Sequence, residues 1–438
     1  MGDQQMSSSE PQKAFGRSQT RPWLAAPPLL RGEAHVEAIE ILQELPDALG
    51  LRLWQHIRFV MQWTLHPDRR AGMKLDPQTS IAETELLTLP LRLSDAFMVL
   101  NQLRAAPEEA PGDEVAQACQ AIASWAKGEE NLQATSLAFL QAAALLNPED
   151  PKLACEVGRD ARDCGDIARA ESWFRKAIRL ARGKDWETYT LAYIVLAGLY
   201  MRTGNYPAAK ALAMRGLKTS LRRSVKLYTG FAYHDLFVIA AETGRVKEAN
   251  EFAARAFETY GQNHRRIPAL AHDVACFWLN QGQFGRALSI FAALSSSFVA
   301  PEDLALIAAN SARAAAGLAD RKTYETKRRD AMHALNRPVG KARTGEVYLA
   351  LAKGAGLAGD TRQAYNLALH AHQIATEHGL AQLRMQAEAE LDATRSVDQI
   401  GRTKAIESLN IKDQAEQLAN DLVHTLEASP TLTLARSC

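Results

Sequence analysis

Two histidine–aspartate pairs, His234-Asp235 and His272-Asp273, each begin ten residues before a glycine, Gly244 and Gly282. Cys276 follows His272 by one helical turn, so the imidazole and the thiol would share a helix face. Brought side by side, His234, His272 and Cys276 would offer nitrogen and sulfur donors of the kind zinc prefers. The plainer reading makes them polar residues that line or partly underlie a groove. We adopt it: no metal is assigned, and tightly bound stoichiometric zinc would overturn the assignment.

Other candidate motifs carry less chemistry. Gly354-Ala355-Gly356-Leu357-Ala358-Gly359 matches the glycine pattern of dinucleotide-binding turns, with VYLALA before it in the place of a strand. That motif needs a strand–turn–helix setting and further βαβ units, whereas the segment after Gly359 reads as a packing helix. His370, His372 and His378 have no i,i+4 spacing and read as a solvated helix face. There is no phosphate-binding GxxxxGK[ST] loop, HExxH or GxSxG. The expectation is a protein that is not an enzyme and uses no cofactor.

The elements that must position these residues are helical. Hydrophobic residues make up 47% of the chain and aromatics only 7%, so the apolar weight lies in Ala and Leu, which favour close helix packing. With 438 residues the chain exceeds one ordinary core, yet no interior stretch reads as a linker, which favours a quasi-one-dimensional array. A net charge of +1 excludes a global basic or acidic excess. Five cysteines without a CxxC pair predict free thiols in a reducing compartment, hence a cytoplasmic protein. Residues 1–30, rich in Ser, Gln and Pro, predict a disordered segment without signal-peptide character.

The period is explicit in the turns. Gly165, Gly204, Gly244 and Gly282 lie 39, 40 and 38 residues apart (204−165, 244−204, 282−244), and Gly359 stands in a further copy. Each separates two amphipathic stretches, as expected of a left-handed turn residue between antiparallel helices. Five residues after each glycine stands Ala170, Ala209, Ala249, Ala287 or Ala364, small enough for close helix approach.

With Val157-Gly158, Gly165-Asp166, Ala170, Phe174 and Ala177, the stretch KLACEVGRDARDCGDIARAESWFRKAIRLAR resembles the tetratricopeptide repeat family. The next copy matches at Tyr193, Leu196, Ala197, Tyr200, Gly204, Tyr206 and Ala209, but has Gly216 where the family has Ala. The resemblance covers 113–380, with weak copies at 113–148 and at 302–336, where the turn Gly317-Leu318-Ala319-Asp320 leaves the register open. It implies an all-α, α-α superhelix, a right-handed TPR-like solenoid of about six or seven antiparallel hairpins, of the long-repeat type found in bacterial regulators. Residues 31–112 read as an N-terminal helical cap or docking region with Trp54, Phe59 and Trp63 in its core, residues 381–427 as C-terminal capping helices, and 428–438 as a flexible tail.

The resemblance also implies a concave groove, lined by the first helix of each hairpin, that accepts a protein or peptide. Its inward positions are Lys152, Arg159, Arg162, Ile194, Met201, Arg202, His234, Val238, His272, Asn280 and Lys353. The functional expectation is a protein-interaction scaffold or regulator whose groove takes a segment carrying acidic and apolar residues. Two alternatives stand beside it. One is a sensor in which a peptide or other ligand gates the N-terminal helices. The other is a basic edge, Arg182, Lys184, Arg222, Arg223, Lys226, Arg265 and Arg266, that follows nucleic acid or an acidic partner; solvation of helix ends is the plainer account of that edge.

Overall fold

The computed structural model describes residues 40–45, 47–73, 90–129, 132–295, 297–298, 300–337, 339–378, 380–396 and 412–428. The segment 1–30 and all but the first residue of the 428–438 tail lie outside the described residues. Among the described residues the regular elements are helices and no strand occurs. The chain divides into two compact units, Met1–Leu199 and Tyr200–Cys438, so the division falls inside the stretch read as one array.

The first unit contains α1 (Ala48–Leu65), α2 (Ser94–Ala105), α3 (Gly112–Gly128), α4 (Gln133–Leu146), α5 (Pro151–Asp163) and α6 (Ile167–Ala181), and the division falls within α7 (Trp186–Arg202). Helices α3 and α4, then α5 and α6, pair as hairpins; α1 packs on α4 and α2 on α3. Trp63 and Phe59 of α1 are buried, and the Trp63 indole N–H donates to the Pro107 carbonyl at 2.7 Å. Glu44 accepts from the backbone N–H groups of Ala134 (2.6 Å) and Thr135 (2.9 Å). It thus satisfies donors that the first turn of α4 cannot pair internally and sets a negative charge at that helix's positive end. In the α5/α6 hairpin a Cβ built on Gly158 would lie 2.5 Å from the Phe174 ring, which explains the small residue there.

The second unit continues with α8 (Tyr206–Arg223), α9 (Lys226–Glu242), α10 (Val246–Tyr260), α11 (Ile267–Asn280), α12 (Phe284–Leu294), α13 (Pro301–Gly317), α14 (Arg321–Ala334), α15 (Lys341–Leu357), α16 (Thr361–Glu377), α17 (Ala381–Ser396) and α18 (Lys412–Ala428). Hairpins form between α9 and α10, α11 and α12, α13 and α14, and α15 and α16. Ala170 in the first unit and Ala209, Ala249, Ala287 and Ala364 in the second are all fully buried, as their recurrence predicts. Helix α17 covers α16 and α15. Helix α18 instead lies on α12, with Leu418, Leu422 and Leu426 in the core shared by α9 to α12. It therefore covers an interior hairpin and not the end of the array.

The turns are chemically uniform. Gly165, Gly204, Gly244, Gly282 and Gly359 all have φ between 69° and 84°, the left-handed region where a Cβ is penalised. The residue after each glycine returns its backbone N–H to a carbonyl of the preceding helix, as Asp166 does to Ala161 (2.9 Å), Asn205 to Tyr200 (2.9 Å) and Asp360 to Ala355 (2.9 Å). In these three copies the same residue's side chain caps the next helix, accepting from Arg169, Ala208 and Gln363. One short polar residue closes one helix and opens another.

The open register at 317–320 resolves unexpectedly. Gly317 stays helical in α13, where a Cβ would lie 2.5 Å from the Phe284 ring, and the left-handed residue is Ala319, with φ 58°. Asp320 then repeats the double role, its N–H bonding Ala315 and its carboxylate capping Thr323. Five residues past Ala319 stands buried Tyr324 in place of the alanine, and its hydroxyl donates to Gln363 at 3.4 Å. Two substitutions at signature positions make this copy faint.

Candidate functional site

With Ala319 as the turn, residues six before each turn form one column: Val238, Cys276, Arg313 and Lys353, on α9, α11, α13 and α15. These helices are the first members of successive hairpins. Cys276, Arg313 and Lys353 all open into a concavity of about 630 Å³ in the second unit. Its apolar wall includes Leu279, Leu306, Leu349 and Leu383, and its rim includes Arg202, Glu242 and Asn280, each two residues before a turn glycine. The volume suits a few side chains of a peptide or a small ligand.

Two cations of this concavity, Arg313 and Lys353, have few partners among the described residues. Burial first, and then the charge of Arg313, hold the Lys353 ammonium below the ordinary lysine range, with Glu390 and Glu242 opposing. Burial likewise depresses Arg313. The Arg313 guanidinium donates from Nη1 to Asn280 Oδ1 at 2.9 Å, while its Nε is buried without a hydrogen-bond partner among the described residues. Glu346 accepts from Arg343 at 2.7 Å and Glu242 from the Tyr206 hydroxyl at 3.5 Å, while Glu390 acts on both cations and Glu242 on Lys353 without an ion pair among the described residues. A concave site with two half-buried cations that make no ion pair among the described residues favours an anion.

The two histidine–aspartate pairs meet. His234 of α9 donates from Nε2 to Asp273 Oδ2 at 3.0 Å, and His272 Nδ1 lies 3.2 Å from Asp273 Oδ1. Cys276 Sγ lies 3.7 Å from His272 Nε2, and the Asn310 amide donates to that sulfur at 3.6 Å. Burial works against the Asp273 charge, but hydrogen bonds from both histidines outweigh it and hold the carboxyl well below the usual range. Burial also works against the His272 imidazolium, and the Cys276 sulfur and Asp273 outweigh it, raising His272. Asp273 is surrounded by protein yet keeps 40% of its side-chain exposure, as fits the wall of a groove. Among the described residues no three His, Cys, Asp or Glu side chains are grouped to hold a metal ion.

The remaining expected positions are spread over both units. In the first unit Lys152 is exposed at the start of α5, Arg159 and Arg162 are half-buried, with Arg162 paired to Asp163 at 2.8 Å, and Ile194 is buried in the core. In the second unit Met201 and Val238 are half-buried, and His234 is only 7% exposed. Of the basic edge, Arg182, Lys184, Arg222, Arg223, Lys226 and Arg265 are exposed, whereas Arg266 lies over the Phe231 ring at 4.8 Å. Gly354 and Gly356 sit inside α15, so the dinucleotide-like pattern is a helix and its turn. His372 contacts Glu388 at 3.2 Å and His370 stacks on Tyr348.

No protein-family model matches the sequence, and no curated protein matches it. Solved structures show a low similarity to the chain. BtubC (BKLC) from P. vanneervenii is 16% identical, over 67% of this chain and 98% of its own, with a TM-score of 0.31. The APC/C hetero-tetramer Cut9-Hcn1 is 15% identical, over 78% of this chain and 62% of its own, with a TM-score of 0.44. The TPR2AB-domain:pHSP90-complex of yeast Sti1 is 14% identical, over 62% of this chain and 98% of its own, with a TM-score of 0.24. The chain is all-α, and its hairpins are tetratricopeptide-like in turn geometry and helix pairing.

Proposed function

We propose that this protein is a non-enzymatic interaction scaffold whose second unit accepts an acidic, leucine-type apolar segment of another protein in the concavity formed by α9, α11, α13 and α15. The observation that carries this reading is the placement of Arg313 and Lys353, two half-buried cations that make no ion pair among the described residues and feel Glu390 only at longer range, beside the leucine wall. A carboxylate from the partner would take the buried Arg313 Nε–H and neutralise Lys353, and apolar side chains would fill the wall. No helix among the described residues is long and apolar enough to cross a membrane.

Selection from a random peptide library on the immobilised full-length protein tests this. The reading expects enriched peptides to combine Asp or Glu with Leu or Ile, and to be lost when the double variant Arg313→Gln/Lys353→Gln is the bait. Enrichment of basic peptides, or of the same peptides on both baits, would rule out the groove as the binding site.

A further inference from the structure

Cys276 differs from the other described cysteines. Cys119 and Cys155 are buried in the core, where burial pushes both thiols up to about 12, and Cys164 is exposed in the first unit. Cys276 sits at the concavity wall with an imidazole nitrogen at 3.7 Å and an amide donor at 3.6 Å on its sulfur. Asp273 holds Nδ1 of the imidazole, which lies 4.0 Å from the sulfur, and is itself held by His234. A sulfur beside an imidazolium that a carboxylate holds, with an amide donor on its other contact, has surroundings that stabilise a thiolate.

We propose that Cys276 is a reactive thiol that exchanges with low-molecular-weight disulfides bearing carboxylates, giving a mixed disulfide inside the concavity. The Cys276 sulfur attacks as the thiolate on one sulfur of the disulfide, with the His272 imidazolium beside it; the S–S bond breaks and the other half leaves as a thiolate. The disulfide is the oxidant, and a second thiol reverses the step. Arg313 and Lys353 select the anionic reagent, since they stand in the same column as Cys276 on the next two hairpins. The charged groups facing the pair are Asp273 on the same helix, His234 from α9, and Asp303 and Arg313 from α13. This site stands without the peptide reading: it needs an accessible sulfur and not an occupied groove.

The test uses the full chain carrying Cys164→Ser and Cys438→Ser, with glutathione disulfide as the anionic probe and cystamine as the cationic one. Mixed-disulfide formation at Cys276 is followed by mass spectrometry. Near pH 6 the expected result is faster reaction with glutathione disulfide than with cystamine, slowed roughly tenfold to a hundredfold for both probes by His272→Gln. Lys353→Gln should slow the anionic probe alone. Equal rates with and without His272, or a preference for cystamine that Lys353→Gln leaves unchanged, would overturn the proposal. If His272→Gln does not fold, the charge preference and its response to Lys353→Gln decide.

Discussion

His234 and Asp273 are separated by 39 residues, one repeat length, and meet at 3.0 Å between the first helices of neighbouring hairpins. The bond ties α9 to α11 beside the groove. Asp273→Asn should therefore destabilise the protein by about 1 kcal/mol, the lower end for a charge-assisted bond because the carboxylate is partly exposed. A double-mutant cycle with His234→Gln, read by denaturant unfolding, should return most of that as coupling. Additive effects would show that the contact contributes nothing.

Ala319 occupies a left-handed turn that glycine fills in the other copies with a positive-φ turn, which carries a backbone penalty. Ala319→Gly should stabilise by about 1 kcal/mol, partly offset by the greater freedom of the unfolded chain. Thermal unfolding would show a rise of a few degrees. A fall would mean that the turn is not strained.

Asp360 should cost more to lose than an ordinary surface aspartate, because its side chain caps α16 while its backbone closes α15. Asp360→Ala is expected to lower stability by about 1 kcal/mol, and Asp360→Asn by much less, since Asn also caps. Equal losses in the two variants would point to charge instead of the cap.

Burial lifts the Asp235 carboxyl to about 7, opposed by His234 and Arg266 and helped by Asp273. A raised acid favours folding while protonated, so its contribution is complete below the unfolded value near 4 and is lost as pH rises through about 7. Asp235→Asn should accordingly flatten the fall in stability across that window and raise the melting temperature at about pH 8 relative to the wild type. Unchanged pH dependence would place the proton elsewhere.

The hairpins are readable from sequence because both of their signals are local. Glycine is favoured where φ is positive, and alanine where two helices touch, as at Gly204 and Ala209. The groove is only half readable for the same reason. Val238 and Lys353 can be placed from their turns, but Arg313 is hidden because Gly317 looks like the turn while Ala319 makes it. Cys276 already stands six residues before Gly282, and once that register is corrected Arg313 joins the column with no further information. The seat of α18 on α12 has no such signal: its leucines announce an apolar face, and only tertiary packing chooses which hairpin covers it.

The central claim, an acidic and apolar occupant held by Arg313 and Lys353, is tested most directly by calorimetric titration of the full-length protein with a peptide selected on it, at low and high salt. The expected result is binding that weakens with salt and falls at least tenfold in Arg313→Gln/Lys353→Gln, about 1.4 kcal/mol. Binding of equal strength in the double variant would contradict it.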